Sequence, residues 1–329
     1  MDQSKPRRHH FLPVSYLRNF CSPEGYIYVY ERGKPPRRSV PKQEAHIRDF
    51  YTYEDEGGKN FEIENILSKF ESDAAPVIQG IVDRAASKSH RYLTDEETEI
   101  LRKVVALMFL RVPAGRKLDK EYIAPAVRKL IEESAQDSKR FAELMKDVLD
   151  AEHLLEPERG KFLEGMRHQI LNGHYDKPEP PGFRLHAMLH VANMIVEEMH
   201  EYSCLIVLAP KHETFITGDT PVCTAVEMGK DKMQLGTAFA DKDTAIWVPV
   251  SAKTCMLWKR REEPGVGKLP PMGVRRVNRN IMRFAERFIY AGQYSLKLAD
   301  RFTRTPQMIF PGKNAFIPMW DGKPIISDE

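Results

Sequence analysis

The hydrophobic period of this chain changes twice, and that double change limits its fold more than any other feature. Tyr26-Ile27-Tyr28-Val29-Tyr30 is β-branched and aromatic, opened by Pro23-Glu24-Gly25, and reads as a strand. A second strand is expected through His46 to Tyr53, before the Gly57-Gly58 turn, with a basic, proline-rich loop from Arg32 to Lys42 between the two. From Asn60 to about His200 the apolar residues recur at helical spacing, as in Phe61, Ile63, Ile66, Leu67 and Phe70. After Ser203 the strand pattern returns at Ser203–Leu208, Thr214–Thr217, Thr244–Val250 and Cys255–Lys259. A sheet cannot be left unpaired at both ends of a chain. The simplest solution is an α+β fold, with a mixed sheet built from N- and C-terminal strands and a large, mainly helical insertion. One α+β domain over residues 1–329 is expected, comprising an N-terminal motif and strands (1–58), a helical block (60–201), and C-terminal strands with an arginine-rich helix (202–329).

Within the helical block the punctuation is explicit. Thr94-Asp95-Glu96-Glu97 has the spacing of a capping box and predicts a helix running to Arg111, ended or kinked by Val112-Pro113. Residues 117–134 and 137–150 suit further amphipathic helices, and His168–Leu171 completes another. Residues 176–182 (Asp-Lys-Pro-Glu-Pro-Pro-Gly) read as a stiff linker before a long helix over 183–200. A last helix is expected over Val274–Ala291 and a last strand near 313–318.

Composition narrows the class. Of 329 residues, 42% are hydrophobic and 29% charged, as in ordinary globular proteins. The longest apolar run, Val104 to Leu110, falls far short of the roughly 20 residues of a membrane span. The N-terminus has charge and prolines where a secretory leader would be apolar, so a cytoplasmic location is expected. Four scattered cysteines without a C-x-x-C pair fit reduced thiols, with Cys204 and Cys255 as small buried hydrophobes. The chain has no Walker, Rossmann or nucleophile-elbow motif, which disfavours triphosphatases, dinucleotide enzymes and α/β-hydrolases.

Three constellations carry chemistry. Arg275, Arg279, Arg283 and Arg287 fall four apart on the expected last helix, a track suited to a phosphate backbone or simply a solvated face neutralised by carboxylates. His186, His190, Asn193 and Glu197 share one face of the 183–200 helix; His186, His190 and Glu197 are a candidate metal set, and the polar stripe of an amphipathic helix is the favoured reading. Asp219 follows a strand between Gly218 and Thr220, where an aspartate binds a metal, orients a base, or ties a turn through backbone N–H groups.

Four separated motifs complete the pattern: His10-x-x-Pro13-x-x-Tyr16-Leu17-Arg18-x-Phe20, Phe50-Tyr51, Arg111-x-Pro113, and Phe215-Ile216-Thr217-x-Asp219-x-Pro221-Val222. In this order the chain resembles domain-of-unknown-function family 4238, from about residue 8 to about 290. Departures are His9 where glutamine is common, and Gly218 and Thr220 on either side of the aspartate. The resemblance implies a shared fold and a shared site, with His10 the histidine carried over, and it brings no established activity.

Two function classes lead, ahead of a weaker third, a metal-dependent hydrolase centred on His186, His190 and Glu197. The first is a nucleic-acid phosphodiesterase, a nuclease-like activity suited to a prokaryotic defence or toxin system and acting on RNA or DNA. In it His10 is general acid or base, Arg18 and Arg111 hold the phosphate, Tyr16 or Tyr51 positions it, and Asp219 orients His10 or binds a divalent ion. The cofactor stays open, a divalent metal ion being one candidate. The second is a non-catalytic binding or sensing module in which the same polar residues form a buried network. The first class requires the N-terminal segment to pack beside residues 215–222.

Overall fold

A computed structural model describes residues 8–55, 58–87, 93–118, 124–146, 157–173, 183–228, 233–308, 319–320 and 323–324. The N-terminal part holds β1 (Arg8–His10), α1 (Val14–Arg18), β2 (Ile27–Glu31), β3 (Arg37–Ser39), β4 (His46–Arg48), β5 (Tyr53–Asp55) and β6 (Gly58–Asn60). Helices follow: α2 (Glu62–Ala86), α3 (Asp95–Leu110), α4 (Pro113–Leu118), α5 (Ala124–Ser134), α6 (Ser138–Leu144), α7 (Glu158–Leu171) and α8 (Phe183–Met199). Then come β7 (Tyr202–Leu208), β8 (Thr217–Gly218), β9 (Cys223–Glu227), β10 (Met233–Leu235), β11 (Thr244–Pro249), β12 (Thr254–Arg260), β13 (Gly265–Lys268), α9 (Pro271–Phe284), β14 (Phe288–Ala291) and α10 (Leu296–Arg304). The fold is α+β.

The chain divides into two compact units, residues 1–117 with 181–315, and residues 118–180 with 316–329. In the first unit, β3-β2-β14-β8 form an antiparallel sheet that joins strands from both ends of the chain, with Val29 opposite Tyr290 and Tyr30 opposite Ile289. The second sheet runs β10-β9-β11-β12-β7-β13, and its one parallel pair is β13 with β7. Strand β1 pairs with β4 as a separate two-stranded ladder. The core gathers Tyr30, Phe215, Ile216, Cys255, Ile289 and Phe302 with the apolar face of α9, namely Val274, Val277, Ile281 and Phe284. Cys204 and Cys255 are both buried, as small apolar residues should be. The second unit packs α5, α6 and α7 around Ala135, Phe141, Met145 and Ile170. Asp137 caps α6 by accepting from the Lys139 and Arg140 amides.

The capping box at α3 forms as its spacing requires: Thr94 Oγ1 accepts from the Glu97 amide, and Glu97 accepts from the Thr94 amide. Val104 to Leu110 is buried on every side, which explains its lack of amphipathic alternation.

Elsewhere the structure corrects the expected boundaries. The helix expected over 274–291 starts at Pro271 and stops at Phe284; Ala285 adopts ψ 124°, and 288–291 are strand β14. The strand expected over 46–53 breaks into β4 and β5 because Asp49 takes the left-handed conformation, φ 50°. The loop expected over 32–42 contains β3, and the strand expected over 214–217 begins only at Thr217. Strands β9, β10 and β13 were not foreshadowed by the pattern, since they are short or carry too few alternating apolar residues. The linker over 176–182 and the strand near 313–318 lie outside the described residues.

Candidate functional site

The N-terminal motif builds inward from β1. Along this strand Arg8 is exposed, His9 buried and His10 half-buried, so the ring that turns into the protein belongs to His9. His9 Nδ1 accepts from the Tyr51 amide at 2.9 Å, which places its proton on Nε2, 2.9 Å from Glu64 Oε2. The His9 and Tyr51 rings stack, 5.7 Å apart and 4° from parallel.

Arg111, at the C-terminal cap of α3, lies beneath this pair. Its Nη2 donates to the His10 carbonyl and to Glu71 Oε1, each at 2.6 Å, and the Tyr51 hydroxyl donates to the Arg111 carbonyl at 2.8 Å. Burial works against the guanidinium charge, but Tyr51 and Glu71 outweigh it and leave the Arg111 pKa raised. Burial likewise raises the Tyr51 phenol, with Arg111 opposing. Glu64 and Glu71 are seven apart on α2, two turns along one face, which brings both carboxylates to this cluster. Arg116 adds a cation over the Phe50 ring at 3.7 Å.

The strand-end motif is engaged in a similar way. Asp219 Oδ1 accepts from the Glu286 amide at 2.9 Å, and Oδ2 from the Arg287 and Phe288 amides at 2.7 and 2.8 Å. Burial lifts the Asp219 carboxyl to about 6, against the pull of those three N–H groups. Gly218 permits this close approach, because a Cβ there would stand 3.3 Å from both the Ala285 Cβ and the Phe288 carbonyl. One turn of chemistry away, the Tyr16 hydroxyl lies 2.7 Å from Thr217 Oγ1 and donates to the Pro249 carbonyl at 2.7 Å. The N-terminal segment therefore does pack beside residues 215–222. The Ala252 amide strengthens that docking by donating to the Asn19 carbonyl.

Other expected site residues fall apart from these clusters. Arg18 is exposed at the end of α1. Arg275 pairs with Glu213 at 2.6 Å, and Arg287 pairs with Glu31 at 3.0 Å. Arg279 is exposed and Arg283 half-buried on α9, while Arg287 lies past the helix end, so the four do not form one helical track. On α8, His190, Asn193 and Glu197 are exposed, opposite the buried Met188, Val191, Ala192, Ile195 and Val196. The His186 side chain lies outside the described residues, and among those described no group of three or more His, Cys, Asp or Glu is arranged to hold a metal.

One face carries two guanidiniums that have no ion pair among the described residues. In the β1–β4 ladder Arg8 stands opposite Arg48 and His10 opposite His46, and by strand alternation all four side chains share a face. Arg8 and Arg48 are exposed, and both imidazoles are half-buried. The two rings meet edge to face, 5.5 Å between centroids. His10 Nε2 is 3.3 Å from the Lys42 carbonyl. Burial lowers the His10 pKa, the Lys42 carbonyl opposes it, and His46 and Arg111 lower it while Glu71 raises it. Arg8 and Arg48 are like charges directly opposite one another, which destabilises a ladder and favours an anion between them.

Residue-by-residue reading of the chain misses His9, Glu64, Glu71 and His46. For His46 a signal exists: Arg8-His9-His10 and His46-Ile47-Arg48 mirror each other, as an antiparallel pair requires. The family model described as a protein of unknown function, DUF4238, matches residues 8–295. No curated protein and no solved structure matches the chain. No helix among the described residues is long and apolar enough to cross a membrane.

Proposed function

The chain belongs to the family of proteins of unknown function DUF4238, and from that premise we propose that it is a phosphodiesterase acting on nucleic acid. The observation that carries this reading is the open face of the β1–β4 ladder, with two guanidiniums and two imidazoles and no ion pair to Arg8 or Arg48 among the described residues. Guanidinium matches phosphate in a bidentate fork, and imidazole titrates nearest neutrality. Arg8 and Arg48 would hold the phosphate and His10 would move the proton.

A second reading has its own support. Arg111, Tyr51 and Asp219 have their polar atoms bonded inside the protein, as in a scaffold, which favours a non-catalytic nucleic-acid-binding module built on the same surface. Labelled RNA and DNA incubated with purified protein, in magnesium and in EDTA, separate the two. The phosphodiesterase reading expects cleavage that drops by about 100-fold or more in a His10→Ala protein with an unchanged melting temperature. Salt-sensitive binding without cleavage of either nucleic acid sinks that reading and establishes the second.

A further inference from the structure

Resting on the phosphodiesterase reading, we propose that the substrate is RNA, cleaved by attack of its own 2′-hydroxyl, with His10 as general base and His46 as general acid. The tautomer of His10 supports the first role. A carbonyl oxygen only accepts, so the contact with Lys42 at 3.3 Å puts the imidazole proton on Nε2 and leaves the Nδ1 lone pair to take a proton. The groups acting on that ring are His46, Glu71 and Arg111, together with the Lys42 carbonyl. Burial dominates them and keeps His10 below its ordinary value, hence unprotonated at neutral pH.

His46 stands directly across the ladder, its ring centroid 5.5 Å away and nearly perpendicular, a separation within the span of one phosphodiester. Arg8 and Arg48 continue the same face one step along the alternation and meet the non-bridging oxygens.

The nucleophile decides the nucleic acid. Hydrolysis of DNA needs an activated water, and Glu71, the carboxylate that acts on His10, is already bonded to Arg111 at 2.6 Å. RNA brings its own nucleophile. As the 2′-oxygen–phosphorus bond forms, the 2′-hydroxyl proton passes to His10 Nδ1. As the phosphorus–O5′ bond breaks, protonated His46 gives its proton to O5′. The products are a 2′,3′-cyclic phosphate and a 5′-hydroxyl. His10 ends protonated and His46 neutral, and proton exchange with solvent restores both without oxidant, reductant or water addition.

Three oligonucleotides of one sequence test this with the wild-type protein in EDTA: RNA, DNA, and RNA carrying 2′-O-methyl groups throughout. The expected result is cleavage of RNA alone, with cyclic phosphate ends identified by mass spectrometry, slowed by about 100-fold or more in each of His10→Ala and His46→Ala. Cleavage of DNA or of the methylated strand, or linear phosphate ends at the earliest time points, overturns the RNA mechanism while leaving a phosphodiesterase. Cleavage that appears only with added metal does the same. No cleavage of any strand under any condition overturns the phosphodiesterase reading as well. The methylated substrate needs no variant, so its outcome does not depend on how a substituted ladder folds.

Discussion

Arg111 and Arg18 carry the same charge and belong to the same motif set, and the structure gives them opposite surroundings. Arg111 is buried with donors to Glu71 and to the His10 carbonyl, whereas Arg18 is exposed. Arg111→Ala leaves the His10 carbonyl and the partly exposed Glu71 without their donor, so it should cost about 1–3 kcal/mol in urea unfolding. Arg18→Ala should stay within about 0.5 kcal/mol of wild type. Equal effects would mean that the burial assigned to one of them is wrong. Asp219 adds a pH signature. Its folded pKa of about 6 stands above the ordinary aspartate value of 3.8, so its contribution is fully present below that ordinary value and is lost as pH rises through about 6. Urea titrations between pH 4 and 7 should therefore show wild type losing stability across that window, with this part of the slope absent in Asp219→Asn. At this scale the motif residues were legible as important, but their partners were not. His9 and His10 are adjacent and chemically identical, and only strand alternation across β1 decides which ring turns inward.

Local rules served well where the partners are close in sequence. The box at Thr94 and Glu97 needs only three residues of spacing, and it forms as written. Thr94→Ala should lower stability by about 1 kcal/mol, measured as a shift of the urea midpoint at constant slope. The end of α9 shows where such rules stop. Arginines four apart and apolar residues on another face continue the helical pattern to Phe288, yet the helix ends at Phe284. The amides of Glu286, Arg287 and Phe288 are claimed by Asp219, 67 to 69 residues earlier. A distant carboxylate thus offers the backbone an alternative to helical bonding, and no local period can register it. Asp219→Ala should accordingly speed hydrogen exchange at those three amides, while the amides of α3 keep their protection. Uniform acceleration across the chain would instead mark global destabilisation.

At the scale of the molecule, the double change of period was enough to foresee an α+β fold with strands from both ends in one sheet. The register was not foreseeable, because β2 and β14 meet across most of the chain length and pairing depends on which faces the helices cover. Closure of this kind makes the N-terminal segment a structural part of the C-terminal sheets, and Tyr16 is the residue that tests it. Its hydroxyl reaches Thr217 on β8 and the Pro249 carbonyl at the end of β11, one strand from each sheet. Tyr16→Phe keeps the ring in its buried place and strands both partners, at a cost of about 1–3 kcal/mol. Two of the three tryptophans, Trp247 on β11 and the fully buried Trp258 on β12, report on the six-stranded sheet through fluorescence, and far-UV circular dichroism reports on the helices of both units. If the chain ends fold as one body, both signals should shift to lower urea together in Tyr16→Phe. A shift in one signal with the other unmoved would mean that the N-terminal segment docks on a sheet already stable without it, and its motif residues would then be free to serve a ligand.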